Sequence, residues 1–215
     1  ALWGFGAMGS GIAKVLLRKK GVDIVGVCDI HPARVDRSIY ELLEIDRGSR
    51  DDVLVNPKIE EVVHDGNCDI CVIATDSFTR KAFNKIKFVV EQNVNVVSTA
   101  EEMSFPMAQE PELSAEMDKL AKEHGVSILG TGINPGLMMD LLAICLSGCM
   151  TDVEKVTCRR VNSLSPFGPA VMEEQGVGLS VNDFNTGVEN GTLAGHVGFA
   201  ESVGINVDSM RIVGT

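Results

Sequence analysis

The first residues of the chain carry a spacing of glycines that could bind a phosphate group. The run reads Gly4, Phe5, Gly6, Ala7, Met8 and Gly9. In a dinucleotide-binding turn, the first glycine permits a tight strand-to-helix turn, the second admits a pyrophosphate close to the backbone, and the third lets the helix pack on the strand. The pyrophosphate then lies at a helix N-terminus, whose free N–H groups attract anions. The run therefore predicts a dinucleotide site, with a purely structural glycine turn as the alternative.

An acidic residue follows the glycines at the spacing expected of a ribose-binding carboxylate. The apolar segment from Asp23 to Asp29 has the length of a strand and ends twenty residues after Gly9. A carboxylate at this strand end accepts hydrogen bonds from the ribose and repels a 2′-phosphate, which favours NAD. Arg34 is near enough in the sequence to offset that charge, so the use of NADP stays open. A solvated acid at a strand end is the other interpretation of Asp29.

Small and polar residues also follow three later strand-like segments. Because ligands of an open α/β sheet bind beyond the carboxyl ends of its strands, we expect these residues to contact the cofactor. They are Ala74, Thr75, Asp76, Ser98, Thr99, Asn134 and Gly136. The alternative at 74–76 is a plain strand-to-helix turn. At 134–136 we expect Asn134 to cap a helix with Pro135 in its first turn, and the alternatives are this cap alone or the cap together with a role beside the nicotinamide.

Charged residues elsewhere are candidates for proton transfer or substrate binding. A carboxylate at Glu101 or Glu102 beside a low-dielectric cleft can have a raised pKa, and can transfer protons or receive an ammonium group. His196 is a candidate acid or base in the second half of the chain. Arg159 and Arg160 alternate across a predicted strand, so one of them can hold a substrate carboxylate. A solvated acidic turn, a structural histidine and solvated arginines are the respective alternatives.

The elements that must position these residues alternate along the chain. Predicted strands cover 23–29, 53–55, 70–74, 94–98 and 126–129, and predicted helices cover 10–20, 33–46, 56–64, 79–92, 111–124 and the segment after the 130–136 turn to about 149. This alternation predicts an α/β fold with a Rossmann-type doubly wound parallel sheet. We expect residues 1–150 to form the dinucleotide-binding domain, and residues 151–215 to form part of a second α/β domain for substrate, which begins with a strand at 153–161.

Composition argues against several classes of function. The net charge of −11, from 19 basic and 30 acidic residues, argues against binding to nucleic acid or anionic membranes. The apolar stretch Gly136–Met150 is too short to span a bilayer. Six cysteines and no visible secretory signal predict reduced thiols in a cytoplasmic protein. Cys68 and Cys71 lack a second pair of metal ligands nearby, so we interpret them as structural and predict no metal site.

The chain begins without methionine and places three residues ahead of its glycine turn. A parallel strand normally has more residues than this. We therefore expect the chain to lack a few N-terminal residues, and its second domain to be incomplete.

Five motifs resemble the 2,4-diaminopentanoate dehydrogenases of bacterial ornithine fermentation. The motifs are Leu2–Gly9, Ser98–Glu102, Thr131–Asp140, Leu164–Gly168 and Gly195–Phe199, and the match spans nearly the whole chain. The resemblance implies NAD- or NADP-dependent oxidative deamination of a diamino acid at C4, which gives 2-amino-4-oxopentanoate and ammonia. The architecture is similar to that of dihydrodipicolinate reductase, but we see no His-His-Lys cluster of that enzyme. A second domain that carries a sheet often supplies a dimer interface, so we expect a homodimer.

The implied reaction needs a general base, a water molecule that attacks the imine, and residues that bind the substrate. We assign Glu101 or His196 to take the amine or water proton, and Asn134 to position the nicotinamide carboxamide. The predicted substrate-binding residues are Glu102, Arg159, Arg160 and Ser163. Competing interpretations are a dihydrodipicolinate reductase-like oxidoreductase, a nucleotide-sensing regulator and an S-adenosylmethionine methyltransferase. The glycine-rich turn at 130–136 before an apolar helix favours a dehydrogenase over the methyltransferase.

Overall fold

Two compact units make up the chain, Ala1–Thr131 and Gly132–Thr215. Their elements come from a computed structural model, which describes residues 1–157, 169–174 and 176–190.

A sheet of six parallel strands forms the centre of the first unit. The strands are β1 (Leu2–Trp3), β2 (Val27–Cys28), β3 (Val55–Asn56), β4 (Ile70–Ile73), β5 (Asn95–Ser98) and β6 (Ile128–Gly130). Their order is β3-β2-β1-β4-β5-β6, and every neighbouring pair is parallel. The order reverses between β1 and β4, and ligands of such sheets bind beyond the carboxyl ends of the strands at this point. The predicted doubly wound parallel sheet is confirmed.

Helices connect the strands of this sheet. They are α1 (Ala7–Leu16), α2 (Ile39–Leu43), α3 (Thr79–Glu91) and α4 (Pro111–His124), with 3₁₀ turns at Ile59–Glu61 and Glu101–Ser104. Pro111 occupies the first turn of α4, and Gly125 ends that helix in a left-handed conformation with φ 66°. Both residues act as the sequence predicts, because proline suits a first turn and glycine tolerates a positive φ.

Two apolar clusters hold the strand ends in fixed positions. One cluster includes Ile73 of β4 and Ile86 of α3, and the other includes Leu2 of β1 and Ala13 of α1. All four side chains are at most 1% exposed. Burial of a side chain as large as isoleucine contributes about 1.5–3 kcal/mol to folding. The glycine turn between β1 and α1 is therefore supported from both elements that flank it.

The connections between β2 and β4 are less regular than predicted. The predicted helix at 33–46 is reduced to α2, and the one at 56–64 is reduced to the 3₁₀ turn Ile59–Glu61. Asp36 (φ 61°) and Glu44 (φ 54°) adopt left-handed conformations on either side of α2. A residue in this conformation cannot continue a right-handed helix, so α2 is confined between them.

The described part of the second unit consists of helices and connecting segments. The helices are α5 (Leu142–Ser147), α6 (Pro169–Glu174) and α7 (Val181–Glu189). The segment Ile133–Leu141 precedes α5, and its backbone is non-helical at 134–136. Residues 153–157, which are the described part of the strand predicted at 153–161, form no strand. Of the helices that can be described, none combines the length and the apolar character needed to cross a bilayer.

Candidate functional site

Each of the three glycines in the first turn has a distinct steric environment. A Cβ at Gly4 (φ 97°) would lie 2.7 Å from the Ala74 carbonyl oxygen, so the turn packs directly against the end of β4. A Cβ at Gly9 would overlap the Gly4 carbonyl oxygen, so only glycine lets α1 approach β1 this closely. A Cβ at Gly6 would meet no atom within 4 Å. Gly6 therefore leaves an open approach to the backbone, of the kind that a pyrophosphate uses.

The N-terminus of α1 lies beside the open space at the Gly6 backbone. Gly6 is the N-cap residue, and among the described residues no side chain caps the helix. The first N–H groups of a helix have no partner within it, and together with the helix dipole they attract an anion. The glycine turn and α1 therefore fit the diphosphate of a dinucleotide.

Asp29 binds the backbone of the glycine turn. Its Oδ2 accepts the Phe5 N–H at 2.6 Å, and its Oδ1 accepts the His31 N–H at 2.8 Å. The Nη1 atom of Arg34 donates to both oxygens, at 3.3 Å and 3.2 Å. The carboxylate thus connects β1, β2 and the segment after β2 at the position where the sequence predicts a ribose contact.

A cleft of about 180 Å³ opens beside this carboxylate. Its lining residues are Phe5, Gly6, Ala7, Ser10, Arg34 and Leu42. Ligand pockets usually measure about 300–1,000 Å³, so a cleft of this size accepts one portion of a dinucleotide. Its position between the glycine turn and Arg34 indicates the adenosine diphosphate portion.

Lys85, which no pattern in the sequence marks as functional, holds the loop after β4. The Nζ atom of Lys85 donates to Asp76 Oδ2 at 2.6 Å and to Thr75 Oγ1 at 2.8 Å, and the Thr75 hydroxyl also donates to Asp76. Lys85 lies 5.9 Å from the centre of the Trp3 ring, which packs edge-on against Phe88. A lysine in the middle of a helix is common on protein surfaces, so its position in the sequence does not indicate that it binds Asp76 and Thr75. The positive charge of Lys85 offsets that of Asp76 at the carboxyl end of β4.

Ser98 and Thr99 mainly connect strands. The buried Ser98 hydroxyl accepts the Ala100 N–H at 3.2 Å, and the Ser98 carbonyl accepts the Thr131 N–H at 3.1 Å. Thr99 donates from both its N–H and its hydroxyl to the Ile73 carbonyl oxygen, at 3.0 Å and 3.4 Å. These contacts fix the carboxyl ends of β4, β5 and β6 side by side.

The two predicted glutamates differ in their surroundings. Glu102 Oε2 accepts the Thr79 N–H at 2.8 Å, which caps the N-terminus of α3. Burial raises the pKa of the Glu102 carboxyl, and the Thr79 N–H opposes that shift. Glu101 is half-buried, and none of the described residues donates a hydrogen bond to its carboxylate. Glu101 is therefore the better placed of the two to receive an external group.

The turn at 134–136 differs from the predicted helix cap. Asn134 (φ −164°, ψ 117°), Pro135 (φ −67°, ψ 158°) and Gly136 (φ 130°) all have non-helical backbones, so the prediction that Asn134 caps a helix with Pro135 in its first turn is wrong. The Gly136 N–H instead donates to Oδ2 of the buried Asp140 at 2.8 Å. A φ of 130° is open to glycine alone among ordinary residues, which explains why glycine occupies position 136.

The remaining predicted site residues lie outside the described part of the chain. They are Arg159, Arg160, Ser163 and His196.

The described cysteines are free and suited to a structural role. Burial raises the pKa of the Cys28 thiol to about 11 and that of the Cys71 thiol to about 12. Protonated buried thiols are poor nucleophiles and poor ligands. Within the described residues, no three His, Cys, Asp or Glu side chains are placed to hold a metal ion.

Two family models match the chain in succession. A model described as the oxidoreductase family with an NAD-binding Rossmann fold matches residues 1–131. A model described as the 2,4-diaminopentanoate dehydrogenase C-terminal domain matches residues 137–213.

Individual proteins resemble the chain over nearly its whole length. A curated 2,4-diaminopentanoate dehydrogenase from Acetoanaerobium sticklandii is 57% identical over 209 residues, which cover 97% of this chain and 59% of that protein. The solved structure of an amine dehydrogenase from Mycobacterium smegmatis is 32% identical, with a TM-score of 0.72 over 87% of this chain and 54% of its own. The chain therefore spans little more than half the length of these relatives. The predicted resemblance to the 2,4-diaminopentanoate dehydrogenases is confirmed.

Proposed function

The chain belongs to the oxidoreductase family with an NAD-binding Rossmann fold, and from this premise we propose that the protein uses NAD or NADP to deaminate 2,4-diaminopentanoate oxidatively. We choose this substrate because the chain is 57% identical, over 97% of its length, to the curated 2,4-diaminopentanoate dehydrogenase of Acetoanaerobium sticklandii. The proposed reaction at C4 yields 2-amino-4-oxopentanoate and ammonia.

The first unit would hold the dinucleotide. The N–H groups at the start of α1 would bind the diphosphate beside Gly6, and Asp29 would lie next to the adenosine ribose. The bound nicotinamide supplies the acceptor for the hydride that leaves C4. The open Cβ position at Gly6 and the cleft lined by Phe5 and Arg34 support this placement.

Residues of the chain must carry out the proton transfers of this reaction and admit the water that adds to the imine. The C4 ammonium has to lose a proton before its C–H bond can break, and the imine that results has to add water and release ammonia. We assign these proton transfers to Glu101, because the Glu102 carboxylate already accepts the Thr79 N–H. A positioned carboxylate of this kind contributes about 10²–10⁴-fold to rate.

Other assignments for the same reaction rest on residue type and on the family resemblance. Asn134 positions the nicotinamide carboxamide, and His196 is the second candidate for proton transfer. One of Arg159 and Arg160 holds the substrate carboxylate, because guanidinium groups match carboxylates in geometry as well as charge. Ser163 is a further substrate-binding residue. Glu102 remains a candidate for the substrate ammonium.

We further propose that the protein is a cytoplasmic homodimer that serves ornithine degradation. The described free cysteines, Cys28, Cys68, Cys71, Cys145 and Cys149, support a reducing compartment. The resemblance to the dehydrogenases of ornithine fermentation supports the metabolic role. Sedimentation of the purified protein tests the dimer.

The test of the reaction follows the absorbance of reduced nicotinamide during incubation with 2,4-diaminopentanoate. The matched control is 2-aminopentanoate, which lacks the C4 amine. We expect reduction, with one ammonia released per hydride transferred, from the diamino acid alone. Glu101→Gln should lower kcat by about 10²–10⁴-fold and leave the Kd of the nucleotide unchanged. Nucleotide binding without turnover of any amine would overturn the proposal and favour a nucleotide-sensing regulator.

A further inference from the structure

The 3₁₀ turn that carries Glu101 is bound to α3 and to the loop before it. Glu102 Oε2 accepts the Thr79 N–H at 2.8 Å, and the Glu102 N–H donates to the Ser77 carbonyl oxygen at 3.2 Å. Glu102 therefore joins the turn to the start of α3 through its side chain and to the loop after β4 through its backbone. Because Glu101 directly precedes Glu102, a shift of the Glu101 backbone relative to α3 would break one or both bonds.

The same turn is held from the side of β6. Met103 is 3% exposed, and a Cβ on Gly130 at the end of β6 would overlap the Met103 carbonyl group. Only glycine at position 130 therefore lets the turn approach β6 this closely. The Met103 N–H donates to the Ala100 carbonyl oxygen at 3.0 Å, and the Ala100 N–H donates to the Ser98 hydroxyl of β5 at 3.2 Å. The backbone on both sides of Glu101 is thus fixed to the sheet and to α3.

We propose that Glu102 and Gly130 are positioning residues: they fix the turn from which the Glu101 carboxylate takes its proton, and they act on the reaction through Glu101. A misplacement of about 1 Å can cost about 100-fold in rate, so a fixed backbone at Glu101 favours proton transfer. This role of Glu102 differs from binding of the substrate ammonium, since its Oε2 is directed at the Thr79 N–H. The inference rests on the proposed function, which assigns the proton transfer to Glu101.

The experiment is a double-variant cycle on Glu101 and Glu102, measured as kcat and KM with 2,4-diaminopentanoate and saturating NAD⁺. Glu102→Ala removes the bond to the Thr79 N–H, whereas Glu102→Gln keeps an acceptor for it. Each change is also made in the Glu101→Gln variant. Hydrogen exchange of the 101–105 amides, followed by mass spectrometry without any amine, measures whether the turn stays fixed.

Gly130→Ala tests the contact with β6, and Gly26→Ala is its matched control. A Cβ on Gly26 would also meet a packed neighbour, at 2.8 Å from Val62 Cγ1, but Gly26 lies directly before β2, at the amino end of the sheet. Both variants should lose stability, which thermal unfolding measures. Only Gly130→Ala should also lower kcat and quicken the exchange of the 101–105 amides.

We expect Glu102→Ala to lower kcat by about 10- to 100-fold, and to change KM and the Kd of NAD⁺ by less than about threefold. In the Glu101→Gln variant the same change should lower kcat by less than about threefold, because the group that Glu102 positions is already absent. Glu102→Gln should restore most of the kcat that Glu102→Ala loses, since its amide oxygen accepts the Thr79 N–H. Exchange of the 101–105 amides should quicken by about tenfold in Glu102→Ala and Gly130→Ala.

Equal losses of kcat from Glu102→Ala in the wild type and in Glu101→Gln would overturn the proposal, since Glu102 would then act independently of Glu101. A rise in KM shared by Glu102→Ala and Glu102→Gln would overturn it as well, and would favour binding of the substrate ammonium by Glu102. Unchanged exchange in Glu102→Ala and Gly130→Ala would show that neither residue fixes the turn, whether or not an amine is oxidised. A wild type that oxidises no amine, with exchange that responds to both changes, would lose the proposed function and retain the fixed turn.

Discussion

Lys85 in α3 donates a hydrogen bond to Asp76 in the loop after β4, with 2.6 Å between Nζ and Oδ2. The two side chains are 30% and 13% exposed. The Thr75 methyl group in the same loop lies 2.7 Å from the position that a Cβ on Gly4 would occupy. The Lys85–Asp76 pair thus holds the loop that packs against the glycine turn.

Replacing Lys85 by methionine should weaken dinucleotide binding and lower the free energy of unfolding. The Asp76 charge would lose its partner beside the proposed path of an anionic cofactor, and a partly exposed ion pair contributes about 0.5–1 kcal/mol. We expect the Kd of NAD⁺ to rise by about two- to fivefold, from the same magnitude of electrostatic change. Urea unfolding and calorimetry measure the two effects.

A double variant separates charge from packing at this pair. Asp76→Asn combined with Lys85→Met should recover most of the lost affinity, because no uncompensated charge remains. Lys87→Gln is the matched control on α3, since Lys87 forms a long, exposed ion pair with Glu116 at 3.8 Å. Equal losses of affinity in Lys85→Met and Lys87→Gln would show that the Asp76 contact has no special role.

Alanine at Gly9 and at Gly6 should have different effects. Gly9→Ala places a Cβ on the Gly4 carbonyl, so the free energy of unfolding should fall by about 1–3 kcal/mol. Gly6→Ala fills open space and should change stability by less than about 1 kcal/mol, yet it should block the approach of the diphosphate. Thermal unfolding and the Kd of ADP measure the two variants. A Gly6→Ala variant that binds ADP like the wild type would place the diphosphate elsewhere.

Asp29→Asn should reduce both stability and NAD⁺ affinity. The carboxylate accepts backbone N–H groups on both oxygens, whereas an amide offers one acceptor oxygen, so the Phe5 or the His31 N–H loses its partner. Loss of the partner of the buried Phe5 N–H costs about 1–3 kcal/mol, whereas the exposed His31 N–H can bond to water instead. Chemical denaturation and calorimetry measure the change. Full stability in Asp29→Asn would mean that the glycine turn does not depend on this carboxylate.

Glu102 should give the free energy of unfolding a defined pH dependence. Burial raises the pKa of its carboxyl above the ordinary 4.5, so the folded chain holds a proton that the unfolded chain has already released. This group therefore makes stability fall as the pH rises from about 4.5 to the higher pKa of the folded state, and its contribution is constant above that range.

Two variants test this dependence. Glu102→Gln keeps an acceptor for the Thr79 N–H, so its stability relative to the wild type should increase across that pH range and then level off. Glu102→Ala removes the helix cap and should lose about 0.5–2 kcal/mol at low pH, and this loss should shrink across the same pH range because the variant lacks the titrating carboxyl. Urea unfolding at several pH values measures both. A pH-independent difference between Glu102→Gln and the wild type would contradict the raised pKa.

Much of the framework could be predicted because it depends on local patterns. The apolar positions of α3, including Ala82 and Ile86, recur at helical spacing and are buried. The Gly4–Gly9 turn has the spacing that its steric environment requires. The helix predicted at 33–46 was too long, because Asp36 and Glu44 adopt left-handed conformations that their residue types do not announce in the sequence. The helix predicted at 56–64 was also too long, since only the 3₁₀ turn Ile59–Glu61 forms there.

The sequence by itself determined the alternation of strands and helices, the glycine turn and the acid at the end of β2, since each of these is specified by spacing along one short segment. Only the tertiary structure decided which side chains meet: Lys85 with Asp76, Glu102 with the Thr79 N–H, and Asp140 with the Gly136 N–H. Such contacts depend on how separate elements pack and on local backbone conformation. Hydrogen bonds act over about 3 Å, a distance that spacing in the sequence does not specify.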